Sequence, residues 1–572
     1  MTRDSTATRS ETGAEPVAPE QGTPGAGGAV PRPVPPCRLA TLRDIGRLPG
    51  QLVQLDAERF MPLPYPYNAP ESHRPLKLMT ESAQQNLECD LDGTSAIQMP
   101  RPKSRQEEQL LVERFLNGLR KLFSADSNWT FLAPLLLRMD YCAKCQTCSE
   151  ACPVYVSSGR QEVYRPTYRS EVFRRIVKKY VMPGGFLSGF TAGNIDLNWQ
   201  TVARLGELAY RCTICRRCAK FCPIGIGNAL ITREIRKVFS EEMGLAPAEL
   251  HRLGSMQHLK VGSSTGMTPP AFTDTVEFME EDAEERTGMK FKWPIDKVGA
   301  DVLLMHNAGE FLSWPENAEA FAIILEAAGM SYTLSSEMLG YDAVNYGVWY
   351  DDVQLARVAV KHAEIAKKLG VRKIVIGECG HSHKALMVIA DRILTGDLNI
   401  PRESCFTFLE GIIDSGRLKL DPERNDFPVT LHDPCNIVRL MGVVEPQRRI
   451  LRKIAPQFRE MYPNRTENYC CGGGSGFAII QGLNFPDWRS AISGRMKFKQ
   501  ILEAFQDTKL DDGSIAKYVC SPCSNCKGGI RGTFEYFNAT NRCGLQYGGL
   551  VELIVNAMVD VPKPFMEWQQ ET

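Results

Sequence analysis

CAKCQTCSEACP (residues 142–153) and CTICRRCAKFCP (residues 212–223) decide how the rest of the chain is read. Each places four cysteines as C-x2-C-x2-C-x3-C and ends in proline. Three thiolates on one tight loop reach three irons of a cubane [4Fe–4S] cluster, while the fourth, turned aside next to the proline, serves the other cluster. The spacing therefore predicts two cubane [4Fe–4S] clusters with exchanged ligands: Cys142, Cys145 and Cys148 with Cys222, and Cys212, Cys215 and Cys218 with Cys152. A structural zinc site usually takes its four ligands as two spaced pairs, and it explains neither the third cysteine of each run nor the closing Cys-Pro.

Outward from these loops the pattern is helical. TYRSEVFRRIVKKYV (167–181) and NWQTVARLGELAY (198–210) lie between them with 3.6-residue periodicity, and NALITREIRKVFSEEMG (228–244) follows as a helix closed by Gly244. Upstream, EEQLLVERFLNGLRKLF (107–123) is expected to set Leu110, Leu111, Phe115, Leu119 and Phe123 on one face. Arg169, Arg174, Arg175, Lys178 and Lys179 mark a basic helix, read either as a solvated face or as a guide for an acidic partner. The 59 residues between Cys152 and Cys212 exceed a small bacterial ferredoxin hairpin, and their helicity resembles the alpha-helical ferredoxin modules of respiratory iron–sulfur subunits.

From about residue 298 the rhythm changes. Short aliphatic runs (ADVLLMH, RKIVIGEC, FPVTLHD, AKYVCS) alternate with helical stretches (AEAFAIILEAAGM, LARVAVKHAEIAKKLG), the alternation of parallel strands with crossover helices. Loops after such strands carry active residues. A third cysteine set sits there: Cys435 (HDPCNIVR), Cys470 and Cys471 (YCCGGGSG), and Cys523 and Cys526 (SPCSNCKGG). It resembles the CCG-domain signature of heterodisulfide-reductase-like (HdrD-like) proteins. The resemblance extends to iron–sulfur subunits of Dsr membrane complexes, through the single intact CCG set, GECGH (377–381), HDPCN and CSPCSNCKGG.

That resemblance implies that Cys435, Cys470, Cys471, Cys523 and Cys526 bind one noncubane [4Fe–4S] cluster as the catalytic centre. The 34-residue first gap is the family's. The 51-residue second gap is longer, with RMKFKQILEAFQDTKLDDGS (495–514) read as an insertion, and Cys520 is an alternative ligand. Gly472, Gly473 and Gly474 are expected to let the backbone approach the cluster. A degenerate first half is expected at 298–415, where VGADVLLMHNAGEF lacks the first cysteine, EMLGYDAVNYG (337–347) replaces CCG, and GECGHSH keeps Cys379. Cys379, His381 and His383 then either line the site as a thiol and proton donors or form a loop of satisfied histidines. His432 and Asp433 are placed for hydrogen bonding beside Cys435, though capping of the next turn also accounts for Asp433.

The fold class expected is thus α plus α/β. A Pro/Gly-rich tail (1–36) and an extended arm (37–104) precede the alpha-helical ferredoxin domain (105–242) and a linker (243–297). The degenerate CCG half (298–415) and the cluster-binding CCG half (416–572) follow. The family implies an oxidoreductase acting on sulfur groups in dissimilatory sulfur metabolism. Its implied partners are a quinone-linked cytochrome b membrane subunit (DsrM-like), other Dsr subunits, and DsrC carrying the substrate disulfide or trisulfide. Other readings are a coenzyme M/coenzyme B heterodisulfide reductase, or a non-catalytic electron-transfer subunit of a 2-hydroxy acid or glycerol-3-phosphate dehydrogenase.

Composition agrees with this reading. The 572 residues hold 19 cysteines, with 67 basic and 67 acidic side chains, a balance that speaks against nucleic acid as a partner. The longest apolar run, FLAPLLL (131–137), is too short to span a membrane. The first residues lack an apolar signal core, so the expected location is cytoplasmic, peripheral on the membrane through the complex, where so many thiols serve metals rather than disulfides.

Overall fold

The computed structural model describes residues 41–72, 74–187, 194–337, 352–480 and 482–570; the tail (1–36) and most of EMLGYDAVNYG lie outside them. The helix Asn228–Glu241 is the axis of the cysteine-rich part. Almost every one of its side chains is buried, against the helices Arg105–Leu122, Pro166–Tyr180 and Trp199–Ala209. Caps set the starts: Asn198 accepts from the Thr201 amide at 2.9 Å, Ser104 from the Glu107 amide at 3.1 Å, and Pro166 opens its helix where no amide is needed. In Arg105–Leu122 the buried face is Phe115, Gly118, Leu119 and Leu122, while Leu110 is 62% exposed. The buried stripe is narrower than expected: Leu110 points to solvent, while Leu111 and Phe123 pack partly buried against the core.

The basic helix is corrected too. Arg169 is buried and donates to Thr232 Oγ1 at 2.7 Å, and Arg174 is buried against Met139 O and Glu171. These two tie helices together and face no partner.

Residues 41–104 lie along the protein itself. Arg204 donates to the carbonyls of Ile45 at 2.8 Å and Leu48 at 2.9 Å. Arg211, fully buried, forks onto both Asp92 oxygens at 2.8 Å and onto Glu207 at 2.8 Å. Each guanidinium satisfies otherwise orphaned oxygens of irregular chain. The stretch expected as a linker, 243–297, instead contains the helix Pro269–Thr287, which buries Phe272, Val276, Met279 and Ala283 beneath the first sheet's helices.

Among the described residues eight short strands follow: β1 (Val302–Met305), β2 (Tyr332–Thr333), β3 (Lys373–Ile376), β4 (Arg402–Ser404), β5 (Val429–Leu431), β6 (Phe458–Arg459), β7 (Lys517–Cys520) and β8 (Leu545–Gly548). They form two four-stranded parallel sheets, ordered β2-β1-β3-β4 and β6-β5-β7-β8. The registers pair Met305 with Ile376 and Leu431 with Cys520. Hence His306 and His432 each follow the paired residue of one central strand, and Cys379 and Cys523 each lie three residues beyond that of the other. The helix Pro315–Ala327 packs on Leu550–Ala557, and Cys405–Asp414 on Pro446–Ile454, so one apolar core joins the two sheets. The stretch 495–514, expected as an insertion, begins with the helix Arg495–Ala504, whose Phe498, Ile501 and Leu502 belong to the core around the cysteines.

Candidate metal centres

Both cysteine loops curl by the same device. Lys144 and Gln146 in the first, and Ile214 and Arg216 in the second, hold φ between 52° and 66°. Left-handed residues at matching positions turn successive thiols toward one point, at a conformational cost that a bound cluster offsets. Cys142, Cys145, Cys148 and Cys222 line one pocket. Cys152 instead lies among Cys212, Cys215 and Cys218. Burial pushes the Cys148 thiol up to about 11 and that of Cys152 up to about 12, with neighbouring thiols adding to both. Thiols so placed ionise when a cation compensates them, and the Ile214 amide already points at Cys212 Sγ, at 3.4 Å. The donor set fits iron–sulfur binding.

The second loop runs directly into the third cysteine set. Cys215 lies beside Cys470, and Arg439 holds the Cys215 carbonyl at 2.7 Å. Cys470 also neighbours Cys435 and Cys471; Cys471 neighbours Cys526 and His432; Cys526 neighbours Cys523. The ligand atoms of His432, Cys471 and Cys526 lie within 4.8 Å of one another. The five cysteines come from the loops after β5, β6 and β7, all buried. Amides of Gly380, Gly472 and Gly473 donate to Cys523, Cys470 and Cys471 at 3.2, 3.4 and 3.3 Å. Cys471 is held well below the usual thiol range by Cys470 and Cys526, and Cys523 by Cys526, with His381 contributing. The same contacts push the Cys470 and Cys526 thiols up, so the buried sulfurs share their negative charge unless a cation compensates it, and the donor set fits a metal–sulfur group.

Several expected residues take other places. Cys520 points to the opposite face of β7, into the core with Tyr518 and near Glu378 and Glu552, away from the five; alternation along a strand demands it, since Val519 faces them. His383 is spent structurally: its Nδ1 is 2.9 Å from Cys379 O and its Nε2 2.9 Å from Ser404 Oγ. His381 does face the site, accepting from the Ser475 amide at 3.2 Å and touching Cys523. Cys379 is buried close to Cys523. Asp433 caps no turn. It forms a buried bidentate pair with Arg448, both bonds 2.7 Å, and accepts from the Arg465 amide at 2.6 Å, locking the Cys435 loop. Besides setting amides against the Cys470 and Cys471 sulfurs, the glycines bring backbone close to backbone. A Cβ on Gly472 would lie 2.7 Å from Gly494 Cα, on Gly473 2.5 Å from Asn525 O, and on Gly474 2.7 Å from Thr213 O.

Three groups escaped the sequence reading. Glu310 accepts from Ser524 Oγ at 2.6 Å and faces His306 Nδ1 at 3.2 Å, a buried network next to Cys523. Arg439, in the HDPCNIVR motif, also donates to Thr466 O at 2.8 Å. Lys497 is buried behind Cys470 and Cys471, and burial pushes it down to about 7, against the pull of Asp433. Only Arg439 carried a signal, its place four residues beyond the motif cysteine.

Residues 138–226 match the 4Fe-4S dicluster domain family, and residues 429–531 the cysteine-rich CCG domain family. The Hdr-like menaquinol oxidoreductase iron-sulfur subunit 2 of Archaeoglobus fulgidus is 25% identical, over 74% of this chain and 80% of its own length. The dihydromethanophenazine:CoB–CoM heterodisulfide reductase of Methanosarcina acetivorans has a subunit that is 26% identical, over 60% of this chain and 79% of its own length. A probable membrane-anchored ferredoxin of Chromohalobacter salexigens is 24% identical, over 66% and 56%. With both matched domains in one chain and relatives aligned across 60–74% of its length, the chain is similar to Hdr-like iron–sulfur subunits that carry a CCG domain.

Proposed function

We propose that the chain is a DsrK-like catalytic subunit of a membrane complex, passing electrons between a quinone-linked cytochrome b and a disulfide or trisulfide on DsrC. In this reading the two loops hold two cubane clusters, and Cys435, Cys470, Cys471, Cys523 and Cys526 hold one noncubane cluster. Bound there, the clusters supply one-electron carriers and a site at which substrate sulfur is reduced or oxidised. Each S–S bond cleaved takes two electrons and two protons and yields two thiols from a disulfide, or a thiol and a persulfide from a trisulfide; dissimilatory sulfur metabolism runs this step in either direction.

The observation that carries the reading is the contact of Cys215 with Cys470, which sets the second loop against the CCG cysteines. Exposure grades along the same line: Cys145 is exposed, the second loop mostly buried, the CCG set wholly buried. Electrons would thus arrive at the first loop, beside the exposed Leu137, Tyr141 and Ile224, and leave at the third set. His381, against Cys523, is placed to give or take a substrate proton. The internal repeat is part of the proposal, supported by the shared strand order and by the matching places of Cys379 and Cys523. Among the described residues no helix is long and apolar enough to cross a membrane, which fits peripheral attachment through a partner.

The test is the paramagnetic resonance of the oxidised holoprotein. A signal that changes on adding persulfidated DsrC, together with DsrC-dependent oxidation of menaquinol by the assembled complex, supports the reading. Ferredoxin-like signals alone, indifferent to thiols, overturn it in favour of a non-catalytic electron-transfer subunit, the alternative favoured by the likeness to a membrane-anchored ferredoxin. Turnover with the coenzyme M/coenzyme B heterodisulfide in place of DsrC assigns the other substrate.

A further inference from the structure

Cations collect on one side of Cys435; Arg233 among them pairs with the buried Glu234, whereas Lys384 and Arg216 meet no carboxylate among the described residues. Lys384 is only 4% exposed, yet among the described residues its ammonium has no hydrogen-bond or ion-pair partner. It starts the turn after Gly380–His383, a segment held over the CCG site by the bond from the Gly380 amide to Cys523 and by packing on Asn436. Its charged neighbours are Arg216, Arg233, Arg236 and Cys435. Arg216 is equally without a hydrogen-bonding partner among the described residues. The contrast with Arg217 is informative. That side chain donates to Ala151 O and Glu467 O at 2.8 and 2.7 Å and lies over the rings of Phe221 and Tyr469, so it is fully used in holding the loop.

Outward from Arg216 come Arg138 and Arg392. Arg138 bonds only a carbonyl of its own helix, Pro134 O at 3.0 Å. Arg392, exposed, lies 5.3 Å from the Phe131 ring centroid, a ring it shares with Arg233 at 4.4 Å. Like charges gathered this way repel one another, and burial, with Arg216 and Arg233 adding to it, pushes Lys384 well below the ordinary lysine range. An arrangement of this kind persists when an anion completes it, and a row of cations running inward draws anions along it.

We infer that Arg392, Arg138, Arg216 and Lys384 form an anion-conducting approach to Cys435 that selects disulfides carrying carboxylates near their sulfurs. The inference rests on the proposed disulfide chemistry for its substrate class, but the charge row stands on its own geometry. The test measures equilibrium binding of 3,3′-dithiodipropionate, a dicarboxylate disulfide, and of cystamine, a dication of similar length, to the full-length holoprotein. Expected are salt-sensitive binding of the dicarboxylate alone, weakening by about tenfold or more in Arg392→Gln and in Lys384→Met, and no change in Lys178→Gln. Arg392 is exposed, so its variant folds even where the Lys384 variant does not.

Equal binding of the two disulfides overturns the inference. So do variants that move the cluster midpoint potentials while leaving dicarboxylate binding intact, since the cations then only balance cluster charge. Charge-indifferent reduction of both disulfides removes the approach and leaves the proposed chemistry standing. Charge-selective binding with an unresponsive resonance signal does the reverse.

Discussion

Asp92 shows how much one buried side chain carries. It is fully buried, accepts both arms of Arg211 and also the Tyr164 hydroxyl at 2.8 Å, and thereby fastens residues 41–104 to the helix that enters the second cysteine loop. Burial alone would raise its pKa, but Arg211, with Thr94 and Tyr164, outweighs that and holds it below the ordinary aspartate range. A carboxylate with a depressed folded pKa contributes stability above its unfolded pKa and loses it as pH falls toward the folded one. Asp92→Asn is therefore expected to cost about 3–5 kcal/mol at neutral pH. In calorimetry the gap in melting temperature between wild type and variant is constant at neutral pH and closes below about pH 4. Gly472 is the second such residue. At φ 87°, with Gly494 Cα 2.7 Å from where a Cβ would sit, Gly472→Ala is expected to lower stability by more than about 1 kcal/mol and to loosen the Cys470–Cys471 loop, read as loss of iron from the purified protein.

Among elements, the paired cysteine loops were the most legible. Their spacing alone implied the exchange of fourth ligands, and the fold brings Cys222 to the first loop's pocket and Cys152 to the second loop. The exchange has a decisive consequence. Cys222→Ala is expected to abolish the signal of the cluster at Cys142, Cys145 and Cys148, and Cys152→Ala that of the other, each removing roughly four irons per chain. Loss of the cluster belonging to the mutated run itself would refute the crosswise pairing. Strands and crossover helices were legible as well, because β1 (VLLM), β3 (KIVI), β5 (VTL) and β7 (KYVC) are short, mostly apolar or β-branched runs between helical stretches. Pro269–Thr287 was less so. Its signal was present but sparse: Phe272, Val276, Met279 and Ala283 recur at helical spacing between Pro269 and Gly288, one narrow stripe among many acids, and the stripe packs on Pro315–Ala327.

At the scale of the molecule, one core crosses the expected domain limits. Phe115 and Val172 of the helical part belong to the same apolar cluster as Leu303 and Ile376 of the first sheet and Trp488 of the CCG part. Bodies that share a core unfold together. Calorimetry of the holoprotein is therefore expected to give a single transition, and a fragment spanning 105–242 is not expected to fold alone; two resolved transitions would contradict this. The shared core also explains how Cys215 can rest against Cys470, more than 250 residues away, closely enough for electron exchange.

The sequence by itself determined the two C-x2-C-x2-C-x3-C-P loops, their helical setting, the parallel α/β rhythm and the later cysteine set, because thiol spacing and hydrophobic period are local properties of the chain. Only the tertiary structure decided that Cys520 faces away, that His381 and not His383 borders the site, that Arg174 is buried, and that Lys384 and Arg216 have no carboxylate opposite them among the described residues. Those outcomes depend on which side of a strand or turn a residue occupies and on what distant segments bring to meet it. No local pattern encodes either.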